Sequence, residues 1–212
     1  MKPVSLEQFK EFIGNLSPSP DLTYNWKEIR DRLILLVLLT TGCRAEELCL
    51  LNNSDVTIQF DRVVHFSITT LKQRGIPPKR FVPVESVQVV RYVHAWYGYR
   101  INSAGPFLLS NSGRRLYPKK VFRVVRSFFP GFSPHSLRHH FAIFLLNNSV
   151  PLPTIQYLLG HKHLDTTAIY LRYAEIFCVE SVWHRFFISD TQSVREYGKS
   201  DKIVKISNWR PQ

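Results

Sequence analysis

The sequence predicts a mainly helical fold with a small three-stranded antiparallel β-sheet. Several segments place apolar residues three and four positions apart and begin at a capping residue or end at glycine, as protein helices do. Between residues 56 and 84, short segments rich in Val, Ile and Phe are instead separated by turn residues, which is typical of strands. Apolar residues make up 44% of the 212, enough to fill a core and too many for a disordered basic tail.

The predicted helices occur both before and after the strands. A capping-box pattern opens the first of them, Gly42 suits the left-handed position that follows a helix, and Pro118 suits a first helical turn. Asp165 or Thr166 can cap a helix that contains Tyr170. The predicted helices cover residues 5–16, 26–41, 44–51, 86–97, 119–129, 135–147, 153–159, 165 to beyond 170, and 174–187.

The predicted sheet consists of a hairpin and one further strand. The strands cover residues 56–60, 63–68 and 80–84. The first two form a hairpin around Asp61 and Arg62. The loop over residues 72–79, which connects the last two strands, is polar and contains Lys72 and Lys79.

Positive charge is concentrated in one part of the chain. There are 28 Lys and Arg against 16 Asp and Glu, which gives a net charge of +12. The stretch from Ser86 to Leu164, named here the acid-free stretch, contains no Asp or Glu but ten Lys and Arg. These cations predict a polyanionic partner, with a merely basic domain as the alternative. A membrane partner is disfavoured, because the cations form no single amphipathic stripe.

Cysteine usage and hydropathy predict a cytoplasmic protein. Cys43, Cys49 and Cys178 are an odd, scattered set, unlike a disulfide or zinc framework. The longest aliphatic run, from Leu33 to Leu39, is too short to cross a bilayer, and no secretion signal is evident. We therefore expect reduced thiols and no membrane segment.

Three short motifs indicate a function. They read TGCRAEEL at residues 41–48, HSLRH at 135–139, and LLGH at 158–161, with Tyr170 nine residues after the last histidine. Together they resemble the catalytic domain of the tyrosine recombinase (phage integrase) family, whose motifs are T-G-x-R-x-x-E-L, H-x-L-R-H, and L-L-G-H with a tyrosine at the same offset. The resemblance covers residues 6–174 and implies that family's catalytic-domain fold.

The residue types in these motifs suit metal-free cleavage of a phosphodiester. That reaction needs cations around the phosphate, a nucleophile and groups that move protons. Arg44 and Arg138 suit the first task, because a guanidinium can bind two phosphate oxygens at once; taken alone, Arg44 would be interpreted as a helix-capping residue. The resemblance implies the other roles: Tyr170 as nucleophile forming a 3′-phosphotyrosine, His135 as general base, Lys72 as general acid, His161 as donor to a nonbridging oxygen, and Glu47 as an orienting acid. No metal or cofactor is expected.

Two of these roles have alternatives. Lys79, and less plausibly Arg74, could replace Lys72 as the acid, because all three lie in the same loop region. His135 and His139 have the spacing of zinc ligands on a helix, although no Glu follows in the H-E-x-x-H position. His139 is more simply interpreted as a packing residue or a contact to the DNA backbone.

The resemblance implies double-stranded DNA and other recombinase subunits, in a multimeric synapse, as partners. The predicted DNA contacts are Arg74, Lys79, Arg114, Arg115, Lys119, Lys120, Arg123, His139 and Lys162. When bound to DNA, the protein is expected at the nucleoid.

The domain prediction follows from the position of the first motif. Residues 1–174 are expected to form the catalytic domain, because the first motif begins near residue 41. An N-terminal core-binding domain is not expected in this sequence, either because it was removed or because the protein is a naturally short member of the family. Residues 175–212 are expected to form a C-terminal helix and tail, which is the candidate for exchange between subunits. The alternative functions are type IB topoisomerase-like strand relaxation and a catalytically silent DNA-binding module.

Overall fold

The computed structural model describes residues 25–71, 78–99 and 104–171. The chain divides into two units, Met1–Ala174 and Glu175–Gln212, and all described residues belong to the first. The predicted helix over 5–16, the loop residues Lys72 and Arg74, and the predicted exchanged segment lie outside the described residues.

The described part of the chain confirms a mainly helical fold with one small antiparallel sheet. The helices are α1 (Trp26–Thr41), α2 (Ala45–Leu50), α3 (Val87–Gly98), α4 (Pro118–Phe128), α5 (Pro134–Asn147), α6 (Leu152–Leu159) and α7 (Asp165–Ala168). The strands are β1 (Val56–Gln59), β2 (Val63–Thr69) and β3 (Lys79–Glu85). No helix among the described residues is long and apolar enough to cross a membrane.

Helix α1 is the central element of the core. Asn25 caps it by accepting hydrogen bonds from the amides of Lys27 and Glu28, and the Glu28 carboxylate accepts one from the amide of Asn25 in return. Its middle is buried on every side, and it packs against α3, α4 and α5. A helix that is apolar all round belongs in an interior. The end of α1 therefore delivers the first motif into the middle of the molecule.

The sheet has the order β1-β2-β3 with antiparallel neighbours. Alternate residues of β2 and β3 are buried, so that one face of the sheet covers the core and the other faces outward. In this register Phe66 pairs with Val82, and Ile68 pairs with Arg80. Arg80 thus shares the inward face with apolar residues.

Two predicted boundaries near functional residues are wrong. Tyr170 does not lie within α7, which ends at Ala168, and neither Asp165 nor Thr166 is its N-cap. The N-cap is Leu164, whose backbone is already helical (φ −63°, ψ −34°), whereas a side-chain cap needs an extended residue at that position. Lys79 was assigned to the loop but is the first residue of β3.

Candidate active site

The turn after α1 brings two arginines of the motifs together. Gly42 has the left-handed conformation (φ 60°), and a Cβ at this position would collide with the ring of Phe141. The glycine therefore lets α5 pack against the turn. Arg138, on α5, donates a hydrogen bond of 2.8 Å from Nη1 to the carbonyl of Gly42. Two residues further along the chain, Arg44 is the N-cap of α2.

Glu47 holds Arg44 in a fixed position. Its Oε2 accepts from the Arg44 amide at 2.9 Å, and its Oε1 accepts from Arg44 Nη1 at 2.7 Å. The Glu47 side chain is fully buried, while that of Arg44 is 24% exposed. Glu47 thus binds both the backbone and the side chain of Arg44, and part of the arginine side chain remains open to solvent.

Arg80 belongs to the same network and was missed by the sequence analysis. Its Nη2 donates to Glu47 Oε2 at 2.6 Å, its Nε to the carbonyl of Leu158 at 2.8 Å, and its Nη1 to Thr70 Oγ1 at 3.0 Å. Its side chain is only 3% exposed. The sequence did contain a sign of this role, because Arg80 has the same parity in β3 as the inward residues Val82 and Val84.

The two arginines keep Glu47 ionised. Burial by itself raises the pKa of this carboxyl, but the hydrogen bonds and charges of Arg80 and Arg44 outweigh burial and hold its pKa below the ordinary glutamate value. Glu47 is therefore a buried carboxylate shared between two guanidinium groups.

Arg138 is held by the ends of two helices. Besides the carbonyl of Gly42, its guanidinium binds the carbonyl of Leu159 at 2.7 Å, at the end of α6. Burial, and then the positive charge of Arg44, lower the pKa of Arg138 to about 10. It remains a cation at neutral pH, buried, and close enough to Arg44 for the two charges to repel each other.

His161 lies two residues after the end of α6 and is neutral. Its Nδ1 lies 2.8 Å from the hydroxyl of Thr167 in α7. Burial, and then the charges of Arg138 and Arg44, lower the pKa of His161 to about 3. A neutral imidazole has one N–H donor, so the hydrogen bond at Nδ1 decides what Nε2 can do.

Tyr170 lies among these groups. It is 3% exposed, and its ring stacks on that of His161 (6.3 Å between centroids, 8° between planes). The rings of Tyr170 and His139 form a T-shaped pair with 5.1 Å between centroids. Burial raises the pKa of its phenol, while the positive charge of Arg138 opposes that rise. The structure thus brings Arg44, Glu47, Arg138, His161 and Tyr170 into one cluster.

The two histidines of the HSLRH motif extend this cluster along α5. The rings of His135 and His139 meet edge to face at 4.3 Å, and His135 is exposed. Burial, followed by the charges of His135 and Arg138, lowers the pKa of His139 to about 4. Within residues 25–71, 78–99 and 104–171, no three or more His, Cys, Asp and Glu side chains are arranged to hold a metal ion.

Of the three candidate general acids, the structure describes only Lys79. Lys72 and Arg74 lie outside the described residues. Lys79 Nζ donates to Asp55 Oδ1 at 2.6 Å, and Asp55 is 5% exposed. An ammonium that is bound to a nearly buried carboxylate must break this ion pair before it can reach a phosphate.

Some of the predicted DNA contacts also bind groups within the protein. Arg115 donates to the carbonyl of Cys49 and to the side chain of Asn52, and Lys120 pairs with Asp31 at 3.5 Å, so these two cations have partners inside the protein. Their partners are a backbone carbonyl, a side-chain amide, and an acid outside the acid-free stretch. Exposed side chains include those of Arg114, Lys119, Arg123 and Lys162.

Comparisons with known proteins agree with the resemblance in the motifs. The model of the phage integrase family matches residues 6–175. Tyrosine recombinase XerA of Pyrococcus furiosus is 34% identical over 153 residues, covering 68% of this chain and 51% of the relative. Tyrosine recombinase XerC of Proteus mirabilis is 32% identical over 152 residues, covering 67% of this chain and 47% of the relative.

Solved structures share the fold. The crystal structure of XerA recombinase has a TM-score of 0.67 at 24% identity, covering 87% of this chain and 66% of that one. XerH site-specific recombinase bound to difH substrate, in a pre-cleavage complex, has a TM-score of 0.68 at 21% identity, covering 86% and 53%. The chain spans about half the length of the curated relatives it matches.

Proposed function

This chain belongs to the phage integrase family, and we propose that it is the catalytic part of a site-specific recombinase, which cuts and rejoins DNA strands through a covalent 3′-phosphotyrosine and without a metal. The position of Tyr170 carries the proposal. The positive charge of the buried Arg138 opposes the rise that burial causes in the pKa of its phenol, and its ring is stacked on that of His161. A buried tyrosine among cations suits a nucleophile that must meet a phosphate.

The arginines would bind the scissile phosphate before any bond breaks. Arg138 is fixed through two backbone carbonyls, and Arg44 through Glu47, so little reorganisation is needed when the pentavalent phosphorane forms. The remaining N–H groups of both guanidiniums would donate to the nonbridging oxygens. His161, which is neutral, would add one further donor.

Two proton transfers complete the proposed reaction. Tyr170 must lose its proton to attack phosphorus, and burial makes that loss harder while Arg138 makes it easier. By resemblance His135 takes this proton, and Lys72 gives one to the departing 5′-oxygen, leaving a free 5′-hydroxyl. In the second half of the reaction, the 5′-hydroxyl of a partner strand attacks the phosphotyrosine and releases the enzyme.

Double-stranded DNA is the proposed substrate, and other copies of the recombinase are the proposed partners. The net charge of +12 and the exposed Lys119 and Arg123 of α4 support binding to phosphates. The relative XerH was solved bound to difH substrate. The proposed assembly is a synapse that pairs two DNA sites.

The test is the formation of a covalent protein–DNA complex. The protein is incubated with nicked duplexes of randomised sequence, so that no target site has to be known, and the mixture is run on a denaturing gel. Wild type should give a protein–DNA band. Tyr170→Phe removes only the phenolic oxygen and should give none, with unchanged DNA affinity.

Tyr117→Phe is the matched control, because Tyr117 is 45% exposed and lies outside the cluster. It should form the complex as wild type does. A band from Tyr170→Phe would show that another tyrosine attacks. Binding without a band from wild type would indicate a silent DNA-binding module instead.

A further inference from the structure

Thr167 is a buried hydroxyl residue in contact with the proposed active site. Its relative exposure is 0%, and its Oγ1 lies 2.8 Å from Nδ1 of His161. Its amide donates to the carbonyl of Leu164, within the turn that leads to Tyr170. Among the described residues, His161 Nδ1 is the partner that the structure gives this hydroxyl.

The direction of this hydrogen bond follows from burial. If His161 donated from Nδ1, the Thr167 hydroxyl proton would have to point at some other acceptor, and leaving a buried donor unsatisfied costs about 1–3 kcal/mol. If Thr167 donates instead, its proton is satisfied and Nδ1 is the acceptor. The neutral imidazole then carries its proton on Nε2.

We propose that Thr167 is a positioning residue that donates its hydroxyl proton to His161 Nδ1, and so presents the Nε2–H of His161 as a donor to the scissile phosphate. This inference rests on the proposed function, since only a phosphate bound at Arg44 and Arg138 gives that donor its target. The same bond holds the imidazole parallel to the Tyr170 ring. Thr167 acts through His161 and does not itself touch the phosphate.

Two features make this more than a packing contact. The pKa of His161 is lowered to about 3, so the ring is neutral and its single proton must be placed on one nitrogen or the other. Thr167 also contacts the backbone of the nucleophile, because its carbonyl accepts a hydrogen bond of 3.1 Å from the amide of Tyr170. Serine would retain the hydroxyl, whereas valine would retain the shape without it.

The first experiment determines the tautomer directly. The ring nitrogens of ¹⁵N-histidine-labelled protein are observed by NMR at neutral pH, and the His161 signals are identified by their loss in His161→Asn. We expect Nε2 protonated and Nδ1 unprotonated but hydrogen-bonded. In Thr167→Val the Nδ1 signal should move towards that of a free unprotonated nitrogen, and in Thr167→Ser it should stay. A protonated Nδ1 in the wild type would overturn the inference.

The second experiment measures single-turnover formation of the covalent complex with the nicked duplexes. Thr167→Val should slow it about ten- to hundredfold, as expected for a misaligned group, with unchanged DNA affinity. Thr167→Ser should restore most of the rate. Equal losses in both variants, or a lowered affinity in place of a lowered rate, would contradict a positioning role.

A double variant separates positioning from general damage. If Thr167 acts only through His161, then adding Thr167→Val to His161→Ala should cause no further loss. A further loss of similar size would mean an independent structural role. If wild type forms no complex with any duplex, the proposed function fails, while the NMR result still decides the hydrogen bond.

Discussion

Removing Arg80 should destabilise the protein far more than removing a comparable exposed arginine. Arg80 and Glu47 form an ion pair of 2.6 Å, with side-chain exposures of 3% and 0%. Arg80→Met fills a similar volume but leaves Glu47 without one of its two cations. It also leaves the carbonyl of Leu158 and the hydroxyl of Thr70 without this donor.

The loss in free energy of unfolding can be estimated from the burial of the Arg80–Glu47 pair. Breaking a buried pair by removing one partner typically costs about 3–5 kcal/mol, because the remaining charge is poorly solvated. Arg44 still pairs with Glu47 at 2.7 Å, which favours the lower end of this range. Since a domain is typically stable by about 5–15 kcal/mol, the variant should remain folded but unfold at clearly lower urea concentration.

Arg62→Met is the matched control. Arg62 pairs with Glu85 at 3.2 Å in the same sheet, but the side chains are 72% and 45% exposed. Such pairs contribute about 0–1 kcal/mol. Urea unfolding followed by circular dichroism should therefore separate the two variants, with Arg80→Lys between them because it keeps the charge and loses the guanidinium geometry. Similar losses for Arg80→Met and Arg62→Met would refute the buried network.

The pH dependence gives a second check on the same pair. Burial opposes ionisation of Glu47, yet Arg80 and Arg44 hold its folded-state pKa below the unfolded value of about 4.5. Its stabilising contribution is thus fully present above that pH and is lost as the pH falls through the folded-state pKa. The gap between wild type and Arg80→Met should accordingly hold from pH 7 to about 4.5 and narrow below that pH. A gap that is constant with pH would show that Arg80 stabilises by packing alone.

Three further outcomes are expected. DNA affinity should fall steeply with salt concentration and depend little on DNA sequence, because the exposed cations contact phosphates. Binding titrations from low to high salt will measure this dependence, and an affinity that does not change with salt would contradict the prediction. The second outcome concerns cleavage of DNA with a bridging 5′-sulfur, which leaves without needing a proton. On this DNA, Lys72→Ala should regain most of its lost cleavage rate, while Arg138→Ala should stay slow. If Lys79→Ala is rescued instead, Lys79 is the general acid. Gly42→Ala should lower the free energy of unfolding by about 2–5 kcal/mol, as measured by urea titration. The loss comes from strain in the left-handed backbone conformation and from overpacking against Phe141. A loss below about 1 kcal/mol would argue against both causes.

The fold was predictable wherever one local rule dominated. Helix α1 lies where the unbroken apolar run and Gly42 predicted it, and Ser86 caps α3 as expected. The prediction failed at α7, where four residues follow a helical Leu164 and no capping side chain marks the start. Short elements of this kind are fixed by tertiary packing, which a sequence pattern does not contain.

The cluster was predictable in its members but not in its connections. The motifs named Arg44, Glu47 and Tyr170, yet nothing in their spacing shows that Glu47 also binds Arg80, from a strand 33 positions away in sequence. Such a contact depends on how β3 packs against α2. The alternation of β3 did offer a warning, because a charged residue at an inward position requires a buried partner.

The glycines of the first and third motifs share a physical purpose in this structure. Gly42 and Gly160 both end helices in the left-handed conformation, at φ 60° and 67°. Arg138 binds the carbonyl of Gly42 on one side and that of Leu159, directly before Gly160, on the other. Helix C-terminal carbonyls carry partial negative charge and lack partners within their helix. Two helix ends can thus hold a buried arginine through backbone carbonyls, which leaves its positive charge available to a phosphate.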